Sequence, residues 1–318
     1  MGDDLVSAAM STPLFSVVIP TYNRAELLRT TLESVFSQCC RDYEVIVVDD
    51  GSSDATTQVV AAYGARICYL RQHHQGPGAA RNLALASTHG RYAAFLDSDD
   101  LWFPWSLQVY AEVIQANAEP AFVAGKPRRF SSSEELINVQ RVSTVTESFR
   151  DYLASAEQWR WWSVSSFVIR LDAIRSAGGF TSSPVNGEDA DLALKLGIAP
   201  GFVQVLAPDT FAYREHPGSA VSDLEKTIAG TWLQVSSERA NDYPGGINRA
   251  LERWRIATRH IRPVSFECLK RGRFSDGWAL YCATFRWHLR LFRMKYLLAF
   301  PLLLLVSLVF ADGLGKAQ

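Results

Sequence analysis

The sequence predicts an α/β fold with a mostly parallel central sheet flanked by helices. Two continuous apolar runs rich in β-branched residues, Phe15 to Pro20 and Tyr43 to Asp49, are typical of parallel strands covered on both faces. Between them, residues 26–38 place one set of side chains on a single helical face: Leu27, Leu28, Thr31, Leu32, Val35 and Phe36. This strand, helix, strand order favours a parallel sheet with right-handed crossovers.

The alternation continues along the chain. We expect a second helix over 54–63, a third strand over 66–70, a third helix over 78–87 and a fourth strand over 91–96. After residue 126 the periodicity weakens, and the polar stretch 127–158 is expected to be irregular. Further elements are expected as a strand over 164–170, a helix over 189–196 and a strand over 202–206.

Charge is distributed unevenly along the chain. The net charge of the 318 residues is −1, but residues 249–295 contain twelve Arg and Lys and only three acidic residues. Such a basic block is suited to an anionic partner. The uncharged run 296–311 directly follows, which favours an anionic membrane surface over nucleic acid.

The run 296–311 is shorter than the roughly 20 residues of a comfortable membrane span, and Pro301 interrupts it. A short span, a shallow anchor and a buried core helix all remain open. Just before it, aromatic and apolar side chains recur at helical spacing beside an arginine stripe, which predicts an interfacial helix over about 277–295. The basic flank predicts that the protein lies at the cytoplasmic face of the membrane.

The five cysteines are odd in number and form no CxxC pair, which favours a reduced cytosolic setting. Residues 1–11 have neither a basic region nor an apolar core of the signal-peptide kind, and are expected to be disordered. No GxGxxG follows the first strand and no GxxxxGK[ST] occurs, which argues against a dinucleotide-binding domain and a P-loop NTPase.

Polar loops follow the predicted strands at PTYNR (20–24), DDGSSD (49–54) and DSDD (97–100). Ligands of open α/β sheets bind beyond the carboxyl ends of the strands, so these loops are expected to meet at one crevice. Asp97 and Asp99 are two residues apart and can share a hydrated Mg²⁺ or Mn²⁺. The alternative is a solvated turn before a helix that starts near residue 104.

Two further segments have two interpretations each. Asp49 and Asp50 can accept hydrogen bonds from a ribose or a base, while Asp54 is suited to capping the next helix. Gly76-Pro77-Gly78 opens the third helix, where free N–H groups and Arg81 can bind phosphate. Arg81 is alternatively an ordinary surface arginine.

Four segments in this order and spacing resemble the family 2 glycosyltransferases with the GT-A fold. They are VVIPTYNR (17–24), VIVVDDGSSD (45–54), GPGAARN (76–82) and YAAFLDSDD (92–100). Each segment alone is a weak signal, and the four together are specific.

The resemblance implies a donor site and a divalent cation, Mn²⁺ or Mg²⁺. The residues implied to bind the nucleotide-sugar donor are Pro20, Thr21, Tyr22, Asn23, Asp49, Asp50, Gly78, Arg81, Asp97 and Ser98. Asp97 to Asp99 would be the DxD element of the family, in which Asp99 ligates the metal directly. Asp97 would contact the ribose or a metal-bound water.

The resemblance also implies residues on the acceptor side. Asp189, in an ED motif with Glu188, would be the general base, although acids at a helix start are also favoured by the helix dipole. His216 would approach the metal or diphosphate, unless it is structural. Trp161 and Trp162 would border the acceptor, since aromatic faces stack on sugars as well as filling cores.

The implied activity is inverting transfer of a sugar from a nucleoside-diphosphate sugar, with UDP as the default, to a hydroxyl of a saccharide or lipid-linked acceptor in envelope polysaccharide synthesis. A nucleotidyl- or phosphotransferase and a non-catalytic sugar-nucleotide-binding membrane protein are the alternatives. We expect a catalytic domain over 12–225, divided into a nucleotide-sugar half (12–126) and an acceptor half (127–225). A helical region would occupy 226–318.

Overall fold

A computed structural model describes residues 12–158, 163–215 and 223–315. Its strands are β1 (Phe15–Thr21), β2 (Tyr43–Asp49), β3 (Cys68–Arg71), β4 (Tyr92–Phe95), β5 (Leu101–Trp102), β6 (Phe122–Ala124), β7 (Pro127–Phe130), β8 (Val145–Phe149), β9 (Phe167–Arg170), β10 (Phe202–Ala207) and β11 (Phe211–Arg214). Its helices are α1 (Ala25–Phe36), α2 (Thr56–Ala61), α3 (Pro77–Leu85), α4 (Ser106–Ala116), α5 (Leu171–Ser176), α6 (Glu188–Lys195), α7 (Leu224–Ala240), α8 (Ala250–Lys270), α9 (Phe274–Arg290) and α10 (Met294–Gly315).

Eight strands form the central sheet, in the order β3-β2-β1-β4-β9-β6-β10-β8. The predicted parallel half is confirmed, because β1 pairs in parallel with β2 and β4, and β2 with β3. Strand β9 runs antiparallel between β4 and β6, which the sequence did not predict. The carboxyl ends of β1, β2 and β4 therefore share one edge of the sheet.

The polar stretch 127–158 is more regular than expected. It contributes β8 to the edge of the large sheet, antiparallel to β10, and β7 to a small sheet ordered β5-β11-β7. Both are edge strands, which need only one apolar face or none, so their sequences lack the continuous apolar runs of central strands.

Side chains of the sheet alternate between two apolar layers. Val18, Ile46 and Val48 pack on one side with α3 and α6, while Val17 and Val47 pack on the other with α1 and α4. This two-sided burial accounts for the uninterrupted apolar runs of β1 and β2. It also holds the loops that follow these strands in fixed positions.

The C-terminal helices share the first of these layers. Val235 of α7, Ile256 of α8 and Leu280 of α9 belong to the same core cluster as the sheet. Helix α10 packs through Tyr296 and Phe300 on α8 and α9. Within the described ranges, no helix combines the length and the apolar character needed to cross a bilayer.

The interfacial helix predicted over 277–295 is split in the structure. Helix α9 ends at Arg290, and Phe292 adopts a φ of 53°. The N–H groups of Phe292 and Arg293 return to the carbonyls of Leu289 and His288, at 3.1 and 3.0 Å. This Schellman-type closure ends α9 and starts α10 in a new direction.

Candidate active site

The loops after β1, β2 and β4 meet at the carboxyl edge of the sheet, as the βαβ pattern predicts. The N–H of Asn23 donates to Ser52 Oγ at 2.9 Å, and its side-chain oxygen accepts from the N–H of Ser53 at 2.8 Å. Arg24 Nη1 reaches Asp99 Oδ2 at 2.6 Å. All three loops therefore line one crevice.

Three carboxylates of the loop after β4 lie close together. Oxygen atoms of Asp97, Asp99 and Asp100 are all within 4.8 Å of one another. Two guanidinium groups face this cluster. Buried Arg81 donates from Nη2 to Asp97 at 2.6 Å, and half-buried Arg24 pairs with Asp99. Burial raises the pKa of Asp97, and the charge of Asp99 adds to this effect. Together they exceed the lowering of the pKa by Arg81. Hard carboxylate oxygens at this spacing suit a divalent cation.

Asp100 differs from its two neighbours because it is buried and held by the protein itself. Its oxygens accept from Ser165 Oγ at 2.6 Å and from the N–H of Arg214 at 3.0 Å. Burial and the neighbouring carboxylates raise its pKa well above the ordinary value. Asp100 lies before β5 and not at a helix start, and it anchors the loop to β11 and to the turn that precedes β9.

Arg81 connects the two halves of the crevice. Its side chain is 2% exposed, and its Nη1 donates to Glu188 Oε1 at 2.8 Å while Nη2 binds Asp97. Burial lowers the pKa of Arg81, but the two carboxylates raise it by more, so the guanidinium stays charged. The alternative that Arg81 is a surface arginine is wrong.

Asp189 lies at the start of α6, next to Glu188. Gly187 precedes the helix with a φ of 91°, which glycine adopts without strain. Burial, followed by the charge of Glu188, raises the pKa of Asp189 to about 7. A carboxyl group with this pKa can accept a proton at neutral pH.

The residues predicted to bind the nucleoside differ in exposure. Pro20 and Thr21 are buried at the end of β1, and Tyr22 is exposed and stacks on His74, with ring centroids 4.0 Å apart. Asp49 accepts from the N–H of Ser52 and from a tyrosine hydroxyl, each at 2.7 Å. The Tyr22–His74 pair provides an exposed aromatic surface at the crevice.

Asp50 and Gly78 shape the start of α3. Asp50 accepts from the N–H groups of Gln75 and Gly76 at 2.9 and 2.8 Å. A Cβ on Gly78 would lie 2.2 Å from the carbonyl oxygen of Thr181, so the close approach of that loop requires glycine. Contact of Asp50 or Gly78 with a donor stays a prediction.

Sequence reasoning missed Arg24, Ser165 and Arg214 as partners of the acidic loop. Arg24 belongs to the PTYNR segment, and this placement was the signal that could have identified it. Arg214 ends β11 and stands two residues before His216, in a segment that also resembles the family, so its place in the sequence was a signal as well. Ser165 carries no such signal, because the fold brings it from the turn that precedes β9. Ser98 is buried beside the cluster. His216, Trp161 and Trp162 lie outside the described residues.

The sheet and the acidic loop after β4 match the resemblance to family 2 glycosyltransferases, whereas the role of Asp189 stays a prediction. Residues 16–173 match the family model described as glycosyl transferase family 2. By this domain the chain belongs to the family 2 glycosyltransferases.

Curated relatives match over less than a third of the chain. An uncharacterized glycosyltransferase of Rickettsia prowazekii is 39% identical over 93 residues, which cover 29% of each chain. The putative teichuronic acid biosynthesis glycosyltransferase TuaG of Bacillus subtilis is 41% identical over 95 residues, 28% of this chain and 37% of that protein. The chain thus spans well under half the length of these relatives.

Solved structures share the fold over more of the chain. TarS of S. aureus, residues 1–349, matches with a TM-score of 0.59 and 20% identity over 78% of this chain and 71% of that one; it has been solved in complex with UDP. A mannosyltransferase of Pyrobaculum calidifontis, in complex with GDP-Man and Mn²⁺, matches with a TM-score of 0.57 and 19% identity over 94% and 87%. At these identities the likeness establishes the fold.

Proposed function

We propose that this protein is an inverting glycosyltransferase that moves a sugar from a nucleoside-diphosphate sugar to an acceptor hydroxyl. One observation carries the proposal: buried Arg81 joins Asp97 of the acidic cluster to Glu188, the neighbour of Asp189. The group that would receive the donor diphosphate and the group that would deprotonate the acceptor are thereby held against the same side chain. Transfer reactions need this fixed mutual placement.

The acidic cluster fits a divalent cation. Its carboxylates are hard ligands, lie within 4.8 Å of one another and follow a strand end. Asp99 and Asp97 would hold Mn²⁺ or Mg²⁺, while Asp100 already serves Ser165 and Arg214. When bound, such a cation neutralises charge on a departing diphosphate.

Side chains of the protein would carry out the rest of the proposed reaction. Asp189 takes the proton of the acceptor hydroxyl, the oxygen attacks the anomeric carbon, and the bond from that carbon to the diphosphate breaks with inversion. Arg81 and Arg24 stabilise negative charge beside the cluster. The exposed ring of Tyr22, stacked on His74, offers a face for the base of the nucleotide.

We propose UDP as the donor nucleotide. The TarS complexes with UDP and UDP-GlcNAc support this choice, whereas the mannosyltransferase complex with GDP-Man supports a test of GDP donors as well. TuaG, named for teichuronic acid biosynthesis, supports a role in envelope polysaccharide synthesis.

We further propose that the protein works at the cytoplasmic face of a membrane on a saccharide or lipid-linked acceptor. Helix α10 packs through one face and exposes leucines along the other, and Trp278, Phe285 and Phe292 of the α9 region are exposed as well. An apolar surface of this kind beside a basic segment suits insertion into the headgroup layer without a span.

A donor panel tests the proposed reaction. The full chain is incubated with UDP-glucose, UDP-GlcNAc or GDP-mannose in Mn²⁺, Mg²⁺ or EDTA, and the released nucleotides are separated. We expect metal-dependent release of nucleoside diphosphate, which Asp99→Asn removes and the exposed control Asp242→Asn leaves in place. Release of nucleoside monophosphate would identify a phosphotransferase, and metal-independent turnover would refute the cation site.

A further inference from the structure

A cluster of arginines lies in the C-terminal helices, apart from the acidic loop. Three members of this arginine cluster share one face of α8 at spacings of four and three residues, and the fourth lies between α9 and α10: Arg255, Arg259, Arg262 and Arg293. The α9–α10 corner brings the fourth onto α8, since Arg293 Nη2 donates to the carbonyl of Arg255 at 3.1 Å.

The cluster contains buried donors that lack acceptors. Nη1 of Arg293 is buried and has no hydrogen-bond partner among the described residues. His288 is fully buried, and neither of its ring nitrogens has a partner in the same part of the chain. A neutral imidazole carries one N–H, and burying an N–H without an acceptor is unfavourable.

The guanidinium groups also act on one another. Burial, followed by the charges of Arg262, Arg259 and Arg255, lowers the pKa of Arg293 to about 10. Burial, followed by Arg293 and Arg262, lowers the pKa of His288 to about 3. Arg255 pairs with Glu157 and Arg259 donates to two backbone carbonyls, whereas the buried Nη1 of Arg293 has no acceptor among the described residues. A buried donor among several guanidinium groups suits an anionic ligand.

The position of the arginine cluster indicates which kind of molecule would supply an anionic group. Arg293 directly precedes α10, whose Leu298, Leu302 and Leu305 are exposed. Toward the crevice, buried Tyr152 feels the charges of both Arg259 and Asp189, in addition to the burial that raises its pKa. The cluster therefore adjoins the start of the exposed apolar face of α10.

We propose that the arginine cluster binds the phosphate of a lipid, whose apolar chain lies along the exposed face of α10. Arginine forks match phosphate oxygens in pairs, which explains why this cluster is built of arginine and not lysine. A phospholipid headgroup and a phosphate-linked acceptor share this chemistry. Binding does not depend on sugar transfer, so it can be tested apart from the proposed function.

Calorimetric titration of the full chain in EDTA, without donor, tests the site. The probe is dihexanoyl phosphatidic acid below its micelle concentration, compared with inorganic phosphate and dihexanoyl phosphatidylcholine. We expect the phosphatidic acid to bind best, because it combines a dianionic phosphate with apolar chains. Equal affinity for inorganic phosphate would refute the lipid assignment, and equal affinity for phosphatidylcholine would refute the role of the arginines.

Matched variants locate the binding. The double change Arg262→Gln with Arg293→Gln is expected to weaken phosphatidic acid binding at least about tenfold, since charge-assisted hydrogen bonds are lost. Arg271→Gln, an exposed position at the end of α8, should change it less than about twofold. Thermal unfolding verifies folding, and Arg262→Lys, which keeps the charge but loses the fork, serves if the double variant does not fold. Unchanged binding in the cluster variants would overturn the proposal.

Discussion

Asp189 lies where a general base has to ionise near neutral pH. Burial and the Glu188 carboxylate hold its pKa at about 7, so the deprotonated fraction grows as the pH rises through that value. We expect kcat/KM for transfer to increase with pH and to level off above about 7. Asp189→Asn should lower it by about 10²–10⁴-fold. A pH series of initial rates from 5.5 to 9 measures both effects, and an unchanged profile in the variant would exclude this base.

The raised pKa of Asp189 also predicts that Asp189→Asn, although less active, is more stable than the parent protein above pH 7. The native state holds a proton on Asp189 between its ordinary pKa of 3.8 and about 7, so stability decreases as the pH rises through this window. Above pH 7, Asp189→Asn should raise the free energy of unfolding by about 1–2 kcal/mol, allowing for partial exposure. At pH 4 the two proteins should be alike. Urea unfolding at pH 4 and 8 tests this, with exposed Asp242→Asn as control.

Arg81 is the residue on which both halves of the site depend. Arg81→Gln leaves the carboxylates of Asp97 and Glu188 without their cation, and loss of one partner from a buried ion network costs about 3–5 kcal/mol. Arg24→Gln removes an ion pair whose side chains are 28% and 14% exposed, and should cost about 1 kcal/mol or less. Chemical denaturation measures the free energy of unfolding of both variants. Equal decreases would show that Arg81 does not stabilise the site more than Arg24 does.

The acids of this site could be predicted from the sequence, but their connections could not. Asp97 and Glu188 both stand in recognisable motifs after a strand or before a helix. Arg81 lies 16 residues from the first and 107 from the second along the chain. A contact over such separations depends on how α3 and α6 pack on the sheet, which no local pattern specifies.

At the scale of elements, α3 depends on one glycine. The Cβ of Gly78→Ala would meet the Thr181 carbonyl at 2.2 Å, so the backbone of one loop has to move. We expect Gly78→Ala to lower the free energy of unfolding by about 2–4 kcal/mol. At Gly64, whose φ is 55°, an added Cβ meets no atom within 4 Å, so Gly64→Ala should lower it by only about 1–2 kcal/mol. Thermal unfolding of both variants measures the difference, and a smaller loss at Gly78 would contradict the crowding argument.

Elements with strong periodicity were predictable, and edge elements were not. The runs that became β1 and β2 are apolar on both faces because helices cover both sides of the sheet. β7 pairs only along one edge, and its exposed arginines conceal it in the sequence. The antiparallel direction of β9 could not be predicted, because its short run is buried on both faces between β4 and β6 and resembles the apolar runs of the parallel strands.

At the scale of the whole molecule, the sequence predicted a basic C-terminal region with an apolar end but not how it folds. Tyr281 and Tyr296 belong to the aromatic and apolar pattern that predicts the interfacial helix, but both are buried against Phe300. The pattern could not distinguish the two faces, because α10 is apolar all round: one side packs on α8 and α9, and the other is exposed.

This two-sided character predicts that the faces of α10 serve different purposes. Leu302→Ser with Leu305→Ser changes side chains that are 63% and 60% exposed, so the free energy of unfolding should stay within about 0.5 kcal/mol. The same pair should release the protein from vesicles, because two apolar side chains no longer enter the headgroup layer. Phe300→Ser, at a fully buried position, should instead cost about 3–5 kcal/mol. Flotation with phosphatidylglycerol-containing vesicles and urea unfolding separate these effects, and vesicle binding that survives the leucine changes would assign membrane contact to another surface.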